Sequence, residues 1–514
     1  MRVNPMLFGY NLECTRRVGY GGLYAEMLVN RKFASGTEGF YPVEIDGLSG
    51  WGQSTELICL QAGKTYELRA YGGEKIRMRL RAEHGMGVLF ECEGGYARFT
   101  ASTTYYHARF EAVSDAPLTC VSLRPADALF GCRKDVLDLI KSLKPAFLRV
   151  PGGCFAEIYN WKDGLLPVDD RPSIMDGGLT FVMSASCGND AYELGIDEYA
   201  AICRYVGAEM EFTVRLSENT PQDAAELVEY CNGGADTPMG RLRCDRGHPE
   251  PYNVKTWCVG NELAFFGRGG LKEADTAAAA NDEFARAMKK ADPSIRLVSS
   301  TGNIHEWDER FVKCAREIQM CAHHFYLVEE VPNATLQQAL TAAEEVTLPR
   351  LRKARSILGD APLRFDEWNL LWGSWGCALS AVYAASMLHV LIRHTEELKL
   401  DGAAYFTPVN EGAIRVYPDH AALAPDGEVF LRMARHAGGE VVSCPDLPTA
   451  IRTRHEGYDY MSVCNPSADN PMKLTGAAGE YEILIPEGDG IRMEKGTGEL
   501  SGLPPASVAW ITIR

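Results

Sequence analysis

The feature that most constrains this fold is a short apolar run, ending in polar or glycine residues, that occurs eight times between helical segments. The runs are LFGYNLE (7–13), AFLRVPGG (146–153), MEFTVRLSEN (210–219), TWCVGNE (256–262), IRLVSSTG (295–302), MCAHHFY (320–326), LRFDEWN (363–369) and GAAYFTPVN (402–410). Segments with amphipathic, helix-type spacing lie between them, for example residues 135–144, 224–232 and 280–292. Eight strands that alternate with helices predict an α/β fold, a (β/α)8 TIM barrel, with its chemistry at the C-terminal strand ends.

The spacing of the runs predicts an insertion in this barrel. A barrel of about 250 residues has roughly 31 residues per strand and helix, yet 136 residues separate Glu13 from Arg149, at the ends of the first two runs. The excess alternates apolar and polar residues at period two and lacks a helical pattern. We therefore predict a small β-sandwich, residues 45–126, inserted into the first connection. Both a carbohydrate-binding role and a packing or oligomer-interface role stay open for it.

A second β-rich segment follows the barrel. Residues 426–439 have the pattern of a closing helix that ends in glycine. Beyond them the chain alternates at period two up to its last residues, which predicts a C-terminal β-sandwich at residues 440–514. The catalytic barrel is accordingly assigned to residues 1–44 and 127–439.

The net charge limits the classes of binding partner that are expected, and the cysteines indicate the cellular compartment. The formal net charge is -17 and no cluster of Lys and Arg offsets it, so nucleic acid and membrane surfaces are not expected partners. The first residues lack the apolar stretch of a signal peptide, and no run approaches roughly 18 apolar residues. The sixteen cysteines include no CxxC pair, which favours buried thiols over disulfides or a zinc site. We expect a cytoplasmic protein.

Two carboxylates follow apolar runs at positions that suit catalysis. Glu262 and Glu367 are 105 residues apart, a little over three units of about 31 residues, which fits the ends of strands four and seven. Two carboxylates facing each other across a barrel mouth can flank a glycosidic bond, one protonated and the other ionised. A structural salt bridge could use the same residues, and the pattern alone does not assign acid and nucleophile.

The neighbours of these glutamates strengthen the catalytic interpretation. Asn261 can hold a sugar hydroxyl, and Trp368 can supply an apolar wall for a sugar ring. Arg149 can keep a carboxylate ionised, although it could also be an unrelated anion clamp. Trp372 and Trp375, in the following loop, either stack on sugars or pack under the loop.

No metal site is expected. His323 and His324 are adjacent, so on a strand their side chains point to opposite faces and cannot share one ion. The chain has no HExxH or similar ligand spacing. His323 is expected in the barrel wall or core.

Several segments taken together resemble one enzyme family. In order, FLRVPGGCFAEIYNWKDGLLP, WCVGNE, HHFY and RFDEWN look like the signature segments of glycoside hydrolase family 51, the retaining α-L-arabinofuranosidases of clan A. LFGYNLE and GGLYAEMLVNRKF resemble the branch with a small β-domain between the first two barrel strands. The resemblance spans residues 7 to about 437 and is weak in the insertion.

The resemblance implies a role for each matching residue. Glu262 would be the general acid/base and Glu367 the nucleophile. The residues around the sugar would be Glu13 and Asn261, which bond hydroxyls, Arg149, which positions Glu367, and His324 and Tyr326, which line the site. No cofactor or metal is implied, and relatives are commonly homo-oligomers, so a homo-oligomer is an expectation.

The expected reaction is exo-acting, retaining release of terminal non-reducing α-L-arabinofuranosyl units from arabinose-containing oligosaccharides by double displacement. The nearest alternative is the same scaffold with another specificity, such as a different furanosidase, a β-xylosidase or an endo-glucanase. A non-catalytic sugar-binding or sensor protein is the alternative from another class.

Overall fold

The computed structural model describes residues 1–82, 87–175, 181–370, 375–444, 447 and 449–514, and its elements are numbered here in chain order. After β1 (Gly9–Asn11), the chain forms eight antiparallel strands: β2 (Tyr41–Ile45), β3 (Leu48–Ser54), β4 (Thr65–Tyr71), β5 (Ile76–Arg81), β6 (Val88–Glu93), β7 (Tyr96–Thr100), β8 (Arg109–Ser114) and β9 (Cys120–Pro125). They form a sheet in the order β2-β3-β8-β5-β6 and a second in the order β7-β4-β9. Their alternation buries side chains such as Leu68 and Phe110 in a core of their own.

Helices alternate with the parallel strands of the barrel in the next part of the chain, which also contains two short antiparallel pairs. The elements are α1 (Lys134–Ser142), β10 (Phe147–Val150), β11 (Ile174–Met175), β12 (Asn189–Asp190), α2 (Ile196–Val206), β13 (Glu209–Val214), α3 (Pro221–Asn232), α4 (Pro238–Asp245), β14 (Thr256–Val259), α5 (Leu263–Phe266), α6 (Ala274–Ala291), β15 (Arg296–Ser299), α7 (His305–Cys314), β16 (Met320–Tyr326), α8 (Leu336–Ala342), α9 (Leu348–Ile357), β17 (Leu363–Asn369), α10 (Ala378–Arg393), β18 (Leu400–Phe406), β19 (Ile414–Val416), β20 (Ala421–Leu423) and α11 (Pro425–Met433). Among the described residues, β1, β10 and β13–β18 close into a parallel barrel in chain order. This confirms the predicted (β/α)8 barrel.

Antiparallel strands complete the chain: β21 (Glu440–Val442), β22 (Ala450–His455), β23 (Tyr458–Cys464), β24 (Met472–Lys473), β25 (Ala478–Glu487), β26 (Gly490–Glu499), β27 (Gly502–Leu503) and β28 (Val508–Ile513). Six of them pair in the order β21-β22-β23-β28-β25-β26, and β24 pairs with β27. The antiparallel sheets on both sides of the barrel fit the predicted fold class, while the predicted domain boundaries stay predictions.

The burial of the cysteines and the length of the helices can be compared with the sequence-based expectations. All sixteen cysteines fall within the described residues, and most of them are buried. Across the described ranges, no helix is both long enough and apolar enough to pass through a bilayer.

Candidate active site

The structure brings the two predicted catalytic glutamates together at the C-terminal ends of the fourth and seventh barrel strands. Glu262 follows β14, and Glu367 lies within β17. One carboxylate oxygen of each glutamate and a ring nitrogen of His324 all lie within 4.8 Å of one another. Glu367 is 6% exposed, and the side chain of Glu262 is 14% exposed. The pair is therefore buried yet reachable.

Glu367 has hydrogen-bond donors on both oxygens. Its Oε2 accepts from Asn11 Nδ2 at 2.8 Å and from Arg149 Nη1 at 3.0 Å, and its Oε1 accepts from the Tyr326 hydroxyl. Burial raises the pKa of Glu367 to about 7, with the charge of Glu262 adding to the rise and the cations His324 and Arg149 opposing it. The three donors favour the ionised carboxylate once a proton has left.

Glu262 is bonded on one oxygen. Its Oε1 accepts from Asn303 Nδ2 at 3.0 Å and lies 2.6 Å from His324 Nδ1, whereas its Oε2 accepts no hydrogen bond from the described residues. Burial lowers the pKa of His324, but the carboxylates of Glu367, Asp366 and Glu262 outweigh burial and raise it to about 10. His324 is thus an imidazolium that faces Oε1 of Glu262.

Arg149 and Asn261 join the two sides of the site. Arg149 Nη2 donates to Asn261 Oδ1 at 2.6 Å. Asn261 is 1% exposed, and its Nδ2 has no partner among the described residues. A buried amide N–H without a partner is costly, so a ligand hydroxyl would satisfy it.

Glu13 borders the same space. Its Oε1 accepts from the Phe155 backbone N–H at 2.8 Å and from the Cys154 thiol at 3.2 Å. A Cβ at Gly153 would lie 2.9 Å from Glu367 Oε2 and 3.1 Å from Glu13 Oε2. The glycine of the PGG segment therefore allows both carboxylates to approach the backbone.

The structure does not place Trp368 beside the two glutamates. The prediction that its ring forms an apolar wall for a sugar is therefore wrong. The ring is fully buried and packs on Phe365, Tyr405 and Phe430, with centroid distances of 6.2, 5.0 and 6.0 Å. The pairing of β17 with β18 shifts register between Phe365 and Trp368. This irregularity turns Glu367 inward with Asp366 and leaves Trp368 on the helix side.

Sequence reasoning overlooked three polar groups of the site. Asn11 donates to Glu367 and Asn303 donates to Glu262. Asp366 lies 3.3 Å from both Arg149 Nε and His324 Nε2. Asn11 and Asn303 lie at or just beyond the C-terminal ends of barrel strands. Polar residues at these ends are expected to line the barrel mouth, so the sequence does contain a signal for both. Asp366 could not be found that way, because regular alternation beside Glu367 would point it outward.

His323 and the two tryptophans after β17 lie in different surroundings. His323 is 1% exposed and stacks near His305 and Phe365 at 6.4 and 6.5 Å, so it lies in the barrel wall. Trp375 is half-buried, and its carbonyl accepts from Arg415 Nη2 at 3.0 Å. Trp372 lies outside the described residues.

Two clusters have side chains of the type that bind metals. Within the described ranges these are Glu211, Cys258 and Asp366, and Glu262, His324 and Glu367. Arginines already pair with the carboxylates, since Arg364 contacts Glu211 and Arg149 lies 3.3 Å from Asp366 and 3.0 Å from Glu367. That the protein works without a metal stays a prediction.

The closed parallel barrel and the facing carboxylates at its C-terminal end place the chain in the class of (β/α)8 glycoside hydrolases. Residues 139–343 match the family model described as the alpha-L-arabinofuranosidase 1 domain. A probable α-L-arabinofuranosidase C from Aspergillus flavus is 32% identical over 423 residues, which cover 70% of this chain and 81% of the relative. The chain belongs to the α-L-arabinofuranosidases of glycoside hydrolase family 51.

Two further similar proteins match different shares of this chain. An enzyme of Acetivibrio thermocellus named intracellular exo-α-(1→5)-L-arabinofuranosidase is 31% identical over 258 residues, which cover 48% of this chain and only half, 50%, of the relative. An arabinose-bound family 51 α-L-arabinofuranosidase structure matches with a TM-score of 0.78 and 17% identity, covering 100% of this chain and 98% of that chain. The structural likeness supports the fold of the whole chain, including its β-rich segments.

Proposed function

We propose that this protein is a retaining, exo-acting α-L-arabinofuranosidase that removes terminal non-reducing α-L-arabinofuranosyl units from arabinose-containing oligosaccharides. The observation that carries the proposal is the approach of the Glu262 and Glu367 carboxylates within 4.8 Å. Retaining enzymes hold their carboxyl groups about 5 to 5.5 Å apart, whereas inverting enzymes need roughly 6.5 to 9.5 Å to admit a water molecule.

The surroundings of the two glutamates support different roles. Glu367, with donors from Asn11, Arg149 and Tyr326, is the nucleophile, because these donors stabilise its ionised form. Glu262 is the general acid/base, because its Oε2 is free to carry a proton. The reaction begins with the proton donor on Glu262 and an ionised Glu367.

The reaction then proceeds by two displacements. A Glu367 oxygen attacks the anomeric carbon while Glu262 gives its proton to the leaving oxygen, so the glycosidic bond breaks and a glycosyl ester forms. Glu262, now ionised, takes a proton from water, whose oxygen attacks the same carbon and releases Glu367 as a carboxylate. Asn261 Nδ2 and Glu13 are the groups that hold sugar hydroxyls during both steps.

Further features of the proposal concern where the protein acts and in what form. A cytoplasmic location is supported by the name of the Acetivibrio relative, which is called intracellular, and it would restrict the substrate to short imported oligosaccharides. The expected homo-oligomer is tested by light scattering on the purified chain.

The test is a panel of 4-nitrophenyl glycosides in furanose and pyranose forms. We expect turnover of the α-L-arabinofuranoside and loss of more than about 10⁴-fold in kcat for Glu367→Ala. Azide should rescue that variant and give a glycosyl azide of inverted configuration. Glu262→Ala should lose roughly 10²- to 10⁴-fold on oligosaccharides and much less on activated aryl substrates, which need no acid assistance.

Other outcomes would replace the proposal. Preference for a β-xylopyranoside, or cleavage within a polymer, would assign another specificity to the same scaffold. Sugar binding without turnover of any glycoside would support the non-catalytic alternative. A glycosyl azide of retained configuration from Glu367→Ala would show that Glu367 is not the nucleophile.

A further inference from the structure

The turn that carries Asn261 and Glu262 has an uncommon backbone conformation. It follows the end of β14, and it passes through Gly260 with φ 81° and Glu262 with φ 40°. The left-handed region is unfavourable for a residue with a Cβ and persists where surrounding contacts fix it. The Gly260 N–H donates to the Val214 carbonyl at 3.0 Å. This hydrogen bond holds the first residue of the turn and does not reach Asn261 or Glu262.

Glu157 reaches this turn from another part of the barrel. It lies in the short helix Cys154–Ile158 that follows β10, and it is 1% exposed. Its Oε1 accepts from the Asn261 backbone N–H at 3.0 Å, and its Oε2 accepts from the Ser217 backbone N–H at 2.9 Å. One buried carboxylate therefore ties together the backbone beyond the third and fourth barrel strands.

The tie acts on the reacting groups through the main chain. In the described structure, Glu157 is hydrogen-bonded at Ser217 and Asn261 and to neither Glu262 nor Glu367. The peptide it holds immediately precedes Glu262, whose Oε1 must meet Asn303 and His324 while its Oε2 stays free. A small rotation of this peptide would move both the proton donor and the Asn261 amide, and a displacement of about 1 Å can cost roughly 10²-fold in rate.

We propose that Glu157 is a positioning residue that aims Glu262 for proton transfer, a role that rests on the function proposed above. Glu157 belongs to the barrel-strand-two segment, so this contact makes the geometry of the acid/base depend on a residue 105 positions earlier in the chain. The role requires two acceptor oxygens, because both partners are main-chain N–H groups.

The test compares Glu157→Ala and Glu157→Gln with the unchanged enzyme on two substrates, an arabino-oligosaccharide and an aryl α-L-arabinofuranoside with an activated leaving group. We expect Glu157→Ala to lose roughly 10²-fold in kcat on the oligosaccharide, and less than about a tenth of that on the aryl substrate. Glu157→Gln keeps one acceptor and nearly the same volume, so its loss should be intermediate. The pH profile of kcat/KM on the oligosaccharide should also change in shape, because a misplaced proton donor alters the step that needs acid assistance.

Glu26→Gln is the matched control, since Glu26 is also buried, at 4% exposure, and accepts the backbone N–H groups of Met27 and Leu123 at 3.1 and 2.9 Å. Equal losses of Glu157→Gln on both substrates, or a loss no greater than that of the control, would overturn the proposal. If Glu157→Ala does not fold, Glu157→Gln alone decides. If the unchanged enzyme turns over no arabinofuranoside, the proposed function fails. If the unchanged enzyme is active but Glu157→Gln behaves like Glu26→Gln, the positioning role fails and the proposed function stands.

Discussion

At the scale of single residues, the two roles proposed for Glu262 and Glu367 follow from their different surroundings. Glu262 and Glu367 differ in their donors rather than in their chemistry. Glu367 is bonded on both oxygens by Asn11, Arg149 and Tyr326, whereas the hydrogen bonds that the described residues make to Glu262 all go to its Oε1. Because hydrogen bonds to a carboxylate favour its ionised form, the more heavily bonded glutamate is the one suited to attack.

The raised pKa of Glu367 leads to a pH prediction. Burial raises it to about 7 from an ordinary value of 4.5, and the negative charge of Glu262 contributes. Glu367 must be ionised to attack, so kcat/KM should rise with pH along an acid limb above the ordinary carboxyl range. Glu262→Gln removes the neighbouring charge and should shift this limb to lower pH, measured with an activated aryl α-L-arabinofuranoside.

Glu26→Gln should leave the acid limb where it is, because the contacts that the structure describes for Glu26 are with Met27, Leu28, Ser122, Leu123 and Arg31. An unmoved limb in Glu262→Gln, with normal folding, would show that the limb reports a group other than Glu367.

At the scale of elements, the irregularity in β17 builds the centre of the site. A regular strand would alternate its side chains between the barrel interior and the helices. Here Arg364, Asp366 and Glu367 all contact groups inside the barrel, while Phe365 and Trp368 stack on the helix side with centroids 6.2 Å apart. The shift in register therefore places two adjacent carboxylates beside Arg149 and His324.

The position of Trp368 gives a prediction about stability rather than binding. Trp368→Phe should lower the free energy of unfolding by roughly 1 to 3 kcal/mol, because it leaves a buried space among Tyr405 and Phe430. It should leave KM for the aryl arabinofuranoside within about twofold, because the ring lies outside the site. Denaturant unfolding and steady-state kinetics on the same preparation would check both. A large rise in KM with unchanged stability would restore the predicted sugar contact.

At the scale of the whole molecule, buried histidines join the C-terminal sheet to the barrel. His389 of α10 and His436, just after α11, both lie 2.8 Å from Ser462 Oγ of β23 through their Nε2 atoms. Both histidines and the serine are at most 1% exposed. Burial, with a smaller contribution from Arg393, lowers the pKa of His389 to about 3, and burial also lowers the pKa of His436. The contact thus requires neutral imidazoles.

This junction should weaken in acid. Between an ordinary pKa of 6.5 and about 3, His389 binds a proton in the unfolded chain but not in the folded one. Its contribution to stability is therefore complete above pH 6.5 and decreases as the pH falls, by up to about 1.4 kcal/mol per pH unit. Urea unfolding between pH 7 and 5 should show this slope, and His389→Gln should reduce it.

The exposed His420→Gln serves as the control and should keep the slope of the unchanged protein. Identical slopes in all three proteins would mean that His389 does not titrate on unfolding in this range.

The amino-acid sequence is enough to predict the barrel, the excess strands in its first connection, the strands after it and the two glutamates that meet at its mouth. These features are local or periodic. Apolar runs, helix spacing and turn residues recur along the chain, and polar residues placed at the C-terminal ends of parallel strands must converge at one mouth. For the same reason the sequence could name further candidate site residues, and the family resemblance implied their roles: Glu13, Arg149, Asn261, His324 and Tyr326.

Which side chains touch depends on the folded chain. The register shift in β17 moved Trp368 to the core and Asp366 to the interior, because pairing with β16 and β18, not the local pattern, sets register. The partners of Glu262 and Glu367 and the tie from Glu157 to Asn261 join residues 41 to 356 positions apart. Contacts across such separations depend on how the closed barrel brings its strand ends together, which no neighbouring residue in the chain specifies.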